Sequence, residues 1–118
     1  MAGNLLLTQV VLTSATTSSP IPIFPPAVLG NWSGGYQQPA ILVMLSSGAS
    51  LTYSVEVSGN DPSHAGYVES AAVWVGFTNM TGLTASAVGT LGAIVKAIRL
   101  NVTAYTSGTA TLQFVQVV

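Results

Sequence analysis

The sequence has 118 residues, of which 49% are hydrophobic and 4% charged, with no cysteine and a formal net charge of −1. Its two basic residues, Lys96 and Arg99, are too few to neutralise the phosphates of a nucleic-acid partner, and the lack of cysteine excludes disulfides and thiolate metal sites. The longest uninterrupted apolar run, Ala40–Leu45, is far shorter than the roughly 18–20 residues of a membrane-spanning helix. We therefore predict no nucleic-acid partner and no membrane partner.

The length predicts one domain, 1–118, with a sizeable hydrophobic core. An ordinary soluble domain is about 25% charged, so this surface is predicted to consist of hydroxyls, amides and glycine backbone, with much of it covered by other proteins. The mean hydropathy of +0.61 argues against disorder. Many of the apolar residues are β-branched or aromatic, which favours sheets.

The first forty residues are the least regular part of the chain. A strand is predicted over Asn4–Thr13. In the stretch that follows, prolines exclude a helix or a central strand because proline lacks the backbone N–H and fixes φ. Residues 1–30 are therefore predicted to include an extended, arm-like segment, and 30–39 an exposed loop around Trp32 and Tyr36. The prolines are Pro20, Pro22, Pro25 and Pro26.

Two strands are predicted next. Ile41–Leu45 is short and apolar, which is typical of a buried strand. Ser50–Ser58 alternates at a period of two, which predicts a half-buried strand whose even positions, Glu56 and Ser58 among them, face solvent. Its predicted buried positions are Leu51, Tyr53, Val55 and Val57.

A turn is predicted at Asp61 and Pro62, because proline cannot donate to a strand ladder and aspartate stabilises turns. Another strand is predicted over Ser70–Phe77, and both of its faces are apolar. Residues 81–92 show no periodicity that predicts an element.

The stretch 94–118 is predicted to form a hairpin. A three-residue loop with Gly108 in the left-handed region places apolar residues of the two strands opposite one another, whereas a two-residue loop would place valine opposite glutamine. The pattern fails beyond Phe114, which predicts a bulge near Val115. The predicted hairpin core is Leu100, Val102, Leu112 and Phe114.

Short strands separated by turn signals predict an all-β fold with a single antiparallel β-sandwich. We favour a jelly-roll-like sandwich, and an immunoglobulin-like sandwich is the alternative because pattern alone does not give the strand order.

Residues for catalysis or metal binding are scarce. His64 is the only histidine and Asp61 its nearest acid in sequence, and we favour turn chemistry for Asp61 over a catalytic dyad. The three acids, Glu56, Asp61 and Glu69, are predicted to be solvated or paired with the two basic residues, and their spacing matches no calcium or zinc motif. We predict no enzyme, no metal site and no cofactor.

Aromatic side chains are the candidate interface residues. Trp32, Tyr36 and Trp74 would suit a sugar-stacking platform, but we favour their use as core or interface anchors. Pro25 and Pro26 belong to the same predicted interface because the extended segment reaches toward neighbours.

Two segments, 48–57 and 97–112, resemble a family of small tailed-phage structural proteins of the capsid cement or decoration class. The run from Arg99 to Gly108, Arg-Leu-Asn-Val-Thr-Ala-Tyr-Thr-Ser-Gly, is the most specific part, and Asp61-Pro62 and Ser18–Ile23 are also similar to the family. The resemblance covers about Ser18–Gln116, although Ser63–Thr90 departs from the family pattern. It implies a virion protein made in the bacterial host cytoplasm.

The composition favours the same role, because a protein that binds once and stays needs a large apolar contact area and few charges to desolvate. We expect a capsid decoration protein on the capsid exterior, bound to the major capsid protein and to copies of itself. A tail, neck or fibre-base adaptor and a carbohydrate-binding module that holds surface glycans are the alternatives.

Overall fold

The computed structural model describes residues 5–23, 39–92 and 95–117. Its strands lie in two four-stranded antiparallel sheets, and Glu69–Ala71 forms a single 3₁₀ turn. The strands are β1 (Leu5–Leu12), β2 (Ile21–Pro22), β3 (Ala40–Leu45), β4 (Ser50–Ser58), β5 (Val75–Gly76), β6 (Ala87–Thr90), β7 (Ala97–Ser107) and β8 (Ala110–Val117).

The strand order is that of a jelly roll. The first sheet has the order β1-β8-β3-β6 and the second sheet the order β2-β7-β4-β5. The chain therefore behaves as one long hairpin in which β1 pairs with β8, β2 with β7, β3 with β6 and β4 with β5, and successive pairs alternate between the two sheets. This order confirms the predicted antiparallel β-sandwich and selects the jelly roll over the immunoglobulin-like alternative.

The core lies between the two sheets and is built mainly from alternate residues of β3, β4, β7 and β8. On β4, Leu51, Tyr53 and Val55 are buried, as the alternation predicts, whereas Val57 is only half-buried. All four predicted hairpin core residues are also buried: Leu100 and Val102 on β7, and Leu112 and Phe114 on β8.

Their pairing, however, differs from the prediction. β7 and β8 do not form a hairpin, since β7 pairs with β2 and β4 in the second sheet and β8 with β1 and β3 in the first. The turn at Gly108, which has φ +94° as its predicted left-handed conformation requires, carries the chain from one sheet to the other. Alternation predicts which side of a strand is buried but not which strand lies beside it. Two strands that face each other across the core show the same alternation as two strands that pair within one sheet.

The predicted bulge near Val115 is also wrong. β8 keeps an unbroken register against β1 as far as Val117. Gln116 continues the buried alternation, because its side-chain amide donates to the carbonyl oxygen of Pro22 at 3.2 Å. A hydrogen-bonded amide can therefore replace an apolar side chain at a core position.

The strand predicted over Ser70–Phe77 is shorter in the structure and includes only Val75–Gly76. The backbone N–H of Val73 donates to the side chain of Asn60 at 2.9 Å instead of to a neighbouring strand. Ser58 was predicted in solvent and is buried; its hydroxyl accepts from the N–H of Asn60 at 3.0 Å, and its carbonyl accepts from the N–H of Lys96 at 2.8 Å where the strand ends.

The prolines of the N-terminal stretch follow their predicted restriction where the structure describes them. Pro22 lies in β2, an edge strand of two residues that pairs with β7. An edge strand tolerates proline because the missing N–H is not needed by a second neighbour. Pro25 and Pro26 lie outside the described residues, and so do Trp32 and Tyr36.

Candidate interaction surface

The outer side of the first sheet carries exposed apolar side chains. On β1, the side chains of Leu5, Leu7 and Val11 point outward and are 73%, 55% and 51% exposed. Met44 on β3 and Val88 on β6 are exposed on the same side. No strand of this sheet contains a charged residue.

The register places these side chains in adjacent rows. Gln9 lies opposite Gln113, which lies opposite Leu42, which lies opposite Val88. The Gln113 amide donates to the Gln9 side-chain oxygen at 2.8 Å, so these two glutamines satisfy one another across the surface. We call the outward side of the first sheet the apolar face; its large apolar members are Leu5, Leu7, Val11, Leu42, Met44, Val88 and Val115.

The size of the apolar face limits what one copy can bind. Four strands about 4.8 Å apart and six residues long, at about 3.3 Å per residue, cover roughly 400 Å². This footprint, which includes the polar Gln9 and Gln113, is comparable to the largest apolar patch of a typical monomer, which is often functional. It is about half of the roughly 800 Å² that each partner contributes to a standard stable interface. The apolar face of a single copy is therefore suited to a weak contact.

The outer side of the second sheet is polar by contrast. The Nε of Arg99 donates to Glu56 at 2.7 Å, and the Asn101 amide donates to the other carboxylate oxygen at 3.2 Å. The Arg99 guanidinium also lies 4.2 Å from the centroid of the Trp74 ring. Glu56 was predicted in solvent or paired with a basic residue, and it is paired and half-buried.

We expect Arg99→Met to lower the free energy of unfolding by about 1–2 kcal/mol, because it removes the charged hydrogen bond to Glu56 and the contact with Trp74. Urea denaturation followed by tryptophan fluorescence measures the loss. The matched control is Lys96→Met, whose side chain is exposed and whose expected effect is within about 0.5 kcal/mol. Equal losses in the two variants would show that the Arg99 cluster does not stabilise the fold.

Of the aromatic residues predicted to anchor an interface, Trp74 lies in the described part of the chain. Trp74 is half-buried with the Arg99 guanidinium over its ring, and its indole N–H is buried without a hydrogen-bond partner. The interface roles of Trp32, Tyr36, Pro25 and Pro26 stay predictions, because these residues lie outside the described residues.

The loop after β4 uses its titratable side chains to bind its own backbone. Asp61 accepts from the N–H of Ser63 at 2.9 Å, and the Nδ1 of His64 accepts from the N–H of Gly66 at 3.0 Å. These bonds confirm the turn chemistry predicted for Asp61. In the described parts of the chain, no group of three histidine, aspartate or glutamate side chains could hold a metal ion.

Tyr53 is a completely buried core residue whose phenol makes a hydrogen bond. Its hydroxyl donates to the carbonyl oxygen of Ala85 at 2.7 Å, and burial raises the pKa of Tyr53 above its ordinary value of 10.0. The bond ties β4 to the segment before β6. Within 5–23, 39–92 and 95–117, no helix is long and apolar enough to cross a membrane.

Comparisons with known proteins give no relative. No model of a known protein family matches the sequence, and no curated protein and no solved structure matches it. The fold and the surface alone therefore define the class of the protein: a jelly-roll sandwich with an uncharged, apolar outer face.

The apolar face was not predicted, although the sequence contains a signal for it. β1 and β3 are apolar at odd and even positions alike, so each strand has an apolar side left over after the core is filled. Only the sheet order shows that the spare sides of β3 and β6 lie next to each other, and that the spare side of β1 lies beyond β8 on the same side of the sheet.

Proposed function

We propose that the protein is a structural protein of a tailed-phage virion, and that it acts as a capsid decoration protein that bridges neighbouring subunits of the major capsid protein. The apolar face is the observation that carries this proposal. A permanent protein interface has an apolar centre depleted of charged residues, because an unpaired buried charge costs several kcal/mol. The first sheet offers such a surface without a charge to desolvate.

The resemblance to capsid decoration proteins supports the same assignment. The two segments that carry it, 48–57 and 97–112, include most of β4 and the whole of β7, which pair with each other in the middle of the second sheet. The family-like residues thus build the scaffold, and the apolar face lies on the opposite sheet. In this proposal the second sheet, with its paired charges, faces solvent on the capsid exterior.

Many weak contacts between decoration proteins and capsid subunits would together stabilise the capsid. A decoration protein that touches two capsid subunits makes its second contact at a high effective concentration, so the overall binding exceeds that of either contact. Separating the two subunits would require breaking one of these contacts in addition to the contact between the subunits themselves. The expected result is a capsid that withstands higher temperature and internal genome pressure.

The test compares phage heads that lack the protein before and after addition of purified protein. We expect the wild-type protein to sediment with the heads and to raise the temperature at which they release their genome. The double variant Leu42→Lys, Val88→Lys places two charges on the apolar face and is expected to abolish co-sedimentation with little change in its own melting temperature, because neither side chain belongs to the buried core.

The matched control is Thr103→Lys, which places a charge on the exposed outer side of the second sheet and is expected to bind like the wild type. Binding by the double variant at wild-type strength would contradict docking through the apolar face. Heads without the protein that are as heat-stable as complete heads would contradict the decoration role. A copy number per virion matching that of the tail proteins would indicate the adaptor alternative.

A further inference from the structure

We infer that β1 is a self-association strand: two copies of the chain pair their β1 strands antiparallel, edge to edge, and join their first sheets into one eight-stranded sheet. β1 lies at the end of the sheet order β1-β8-β3-β6, where no described strand pairs with its outer edge.

The outer edge of β1 lacks the devices that keep edge strands from pairing. Natural edge strands are short, or carry a proline, a charge or a bulge. β1 has eight residues, none of them proline or charged, and it keeps a continuous register with β8. The other edge strands, β2, β5 and β6, have two, two and four residues. β1 is therefore the only described edge long enough for extended pairing.

The inner side of β1 is incompletely covered within one copy. Leu6, Val10 and Leu12 point toward the core but are only half-buried. The facing edge strand of the second sheet, β2, has two residues and covers little of them. A neighbouring strand along the edge would remove more of these side chains from water, which is favourable in proportion to the apolar area covered.

β1 is complementary to itself in the antiparallel direction. When two copies pair about Thr8, Leu5 of one copy lies opposite Val11 of the other, and Leu6 lies opposite Val10. Each side of the new sheet then carries one kind of apolar pair, while Leu7 lies opposite Gln9, and no charge is opposed to any group. Directly opposed apolar pairs are the unit of sheet stabilisation. The two-fold axis makes every such contact twice.

A second copy also supplies the area that one apolar face lacks. Joining two first sheets doubles the apolar face from roughly 400 to roughly 800 Å², the area that each partner contributes to a standard interface. This step rests on the proposed docking function. The pairing itself does not, because it depends only on the edge of β1.

The experiment uses the purified chain alone and measures its mass in solution by sedimentation equilibrium over a range of concentrations. We expect the wild-type protein to form dimers. The test variants are Thr8→Pro and Gln9→Pro. Because successive N–H groups of a strand point to opposite edges, one proline removes a bond to β8 and the other removes an N–H at the open edge.

The proline at the open edge is expected to leave the circular dichroism spectrum unchanged. Each lost interstrand hydrogen bond weakens association by about tenfold. Because each of the two copies loses one such bond, the dimer Kd should rise about 100-fold. Val88→Lys, at the opposite edge of the same sheet, is the matched control and should remain dimeric.

Hydrogen exchange on the unchanged protein gives an independent readout if both prolines disturb the fold. Alternate amides of β1 should become protected as the protein concentration rises through the dimer Kd. A wild-type chain that is monomeric at all concentrations, or a folded open-edge proline variant that still dimerises, would overturn the inference. Protection of β1 only on phage heads would also overturn it, and would assign the edge to a strand of the capsid protein. Failure of head binding alone leaves the dimer intact and contradicts only the docking function.

Discussion

Replacing Gly108 by alanine is expected to lower the free energy of unfolding by about 2–5 kcal/mol, a large part of the roughly 5–15 kcal/mol available to a domain of this size. Gly108 has φ +94°, a conformation in which a side chain is strained. An added Cβ would lie 2.7 Å from the Cα of Ala49 and 2.9 Å from the Oγ of Ser46. Backbone cannot give way as a flexible side chain can, so the turn between the sheets must shift. Urea denaturation measures the loss.

Gly48→Ala separates strain from crowding. Gly48 also has a positive φ, +74°, but a Cβ there would meet no atom within 4 Å. Its expected cost is therefore the conformational strain alone, about 1–2 kcal/mol. If both alanines cost the same, the crowding at Gly108 does not exist and the crossing between β7 and β8 has a different geometry.

Replacing Phe114 by alanine is expected to cost about 3–5 kcal/mol, because the ring is completely buried and its loss leaves a cavity. Phe114 lies on β8, between Thr8 of β1 and Ile41 of β3, so the cavity opens at the centre of the first sheet. The melting temperature should fall by more than ten degrees, at roughly 4–8 °C per kcal/mol for a domain of about this size. Thermal unfolding followed by circular dichroism measures it.

Phe77→Ala is the matched control for this change. Phe77 packs against the core but is only half-buried. Its replacement by alanine is therefore expected to lower the free energy of unfolding by about 1–2 kcal/mol. A larger loss at Phe77 than at Phe114 would contradict the placement of the core between the sheets.

Sequence patterns predicted which side of each strand is buried better than they predicted which strands pair with each other. The alternation of β4 and the buried positions Leu100, Val102, Leu112 and Phe114 follow from a period of two, which is a local property of the chain. Whether β8 pairs with β7 or faces it across the core depends on contacts far apart in sequence. The glycine conformation at position 108 was predictable, because both arrangements need a tight turn there.

The same limit applies to the candidate site. The low charge predicted that much of the surface contacts other proteins, but the aromatic residues offered no position for that contact in the described chain. The apolar face exists because Leu7, Leu42 and Val88, from three strands distant in sequence, lie on one side of one sheet. Periodicity within β1 or β3 cannot show this, since both sides of each strand are apolar.

The pairing of Leu5 with Val117 has a consequence for how the chain is made. β8 lies between β1 and β3, so neither of these strands can pair with it until Ala110–Val117 has left the ribosome. Folds of such high contact order form in milliseconds to seconds, whereas synthesis proceeds at about 5–20 residues per second. The nascent chain therefore carries the uncharged β1 strand unpaired for several seconds, and chaperones that shield apolar strands would act during that interval.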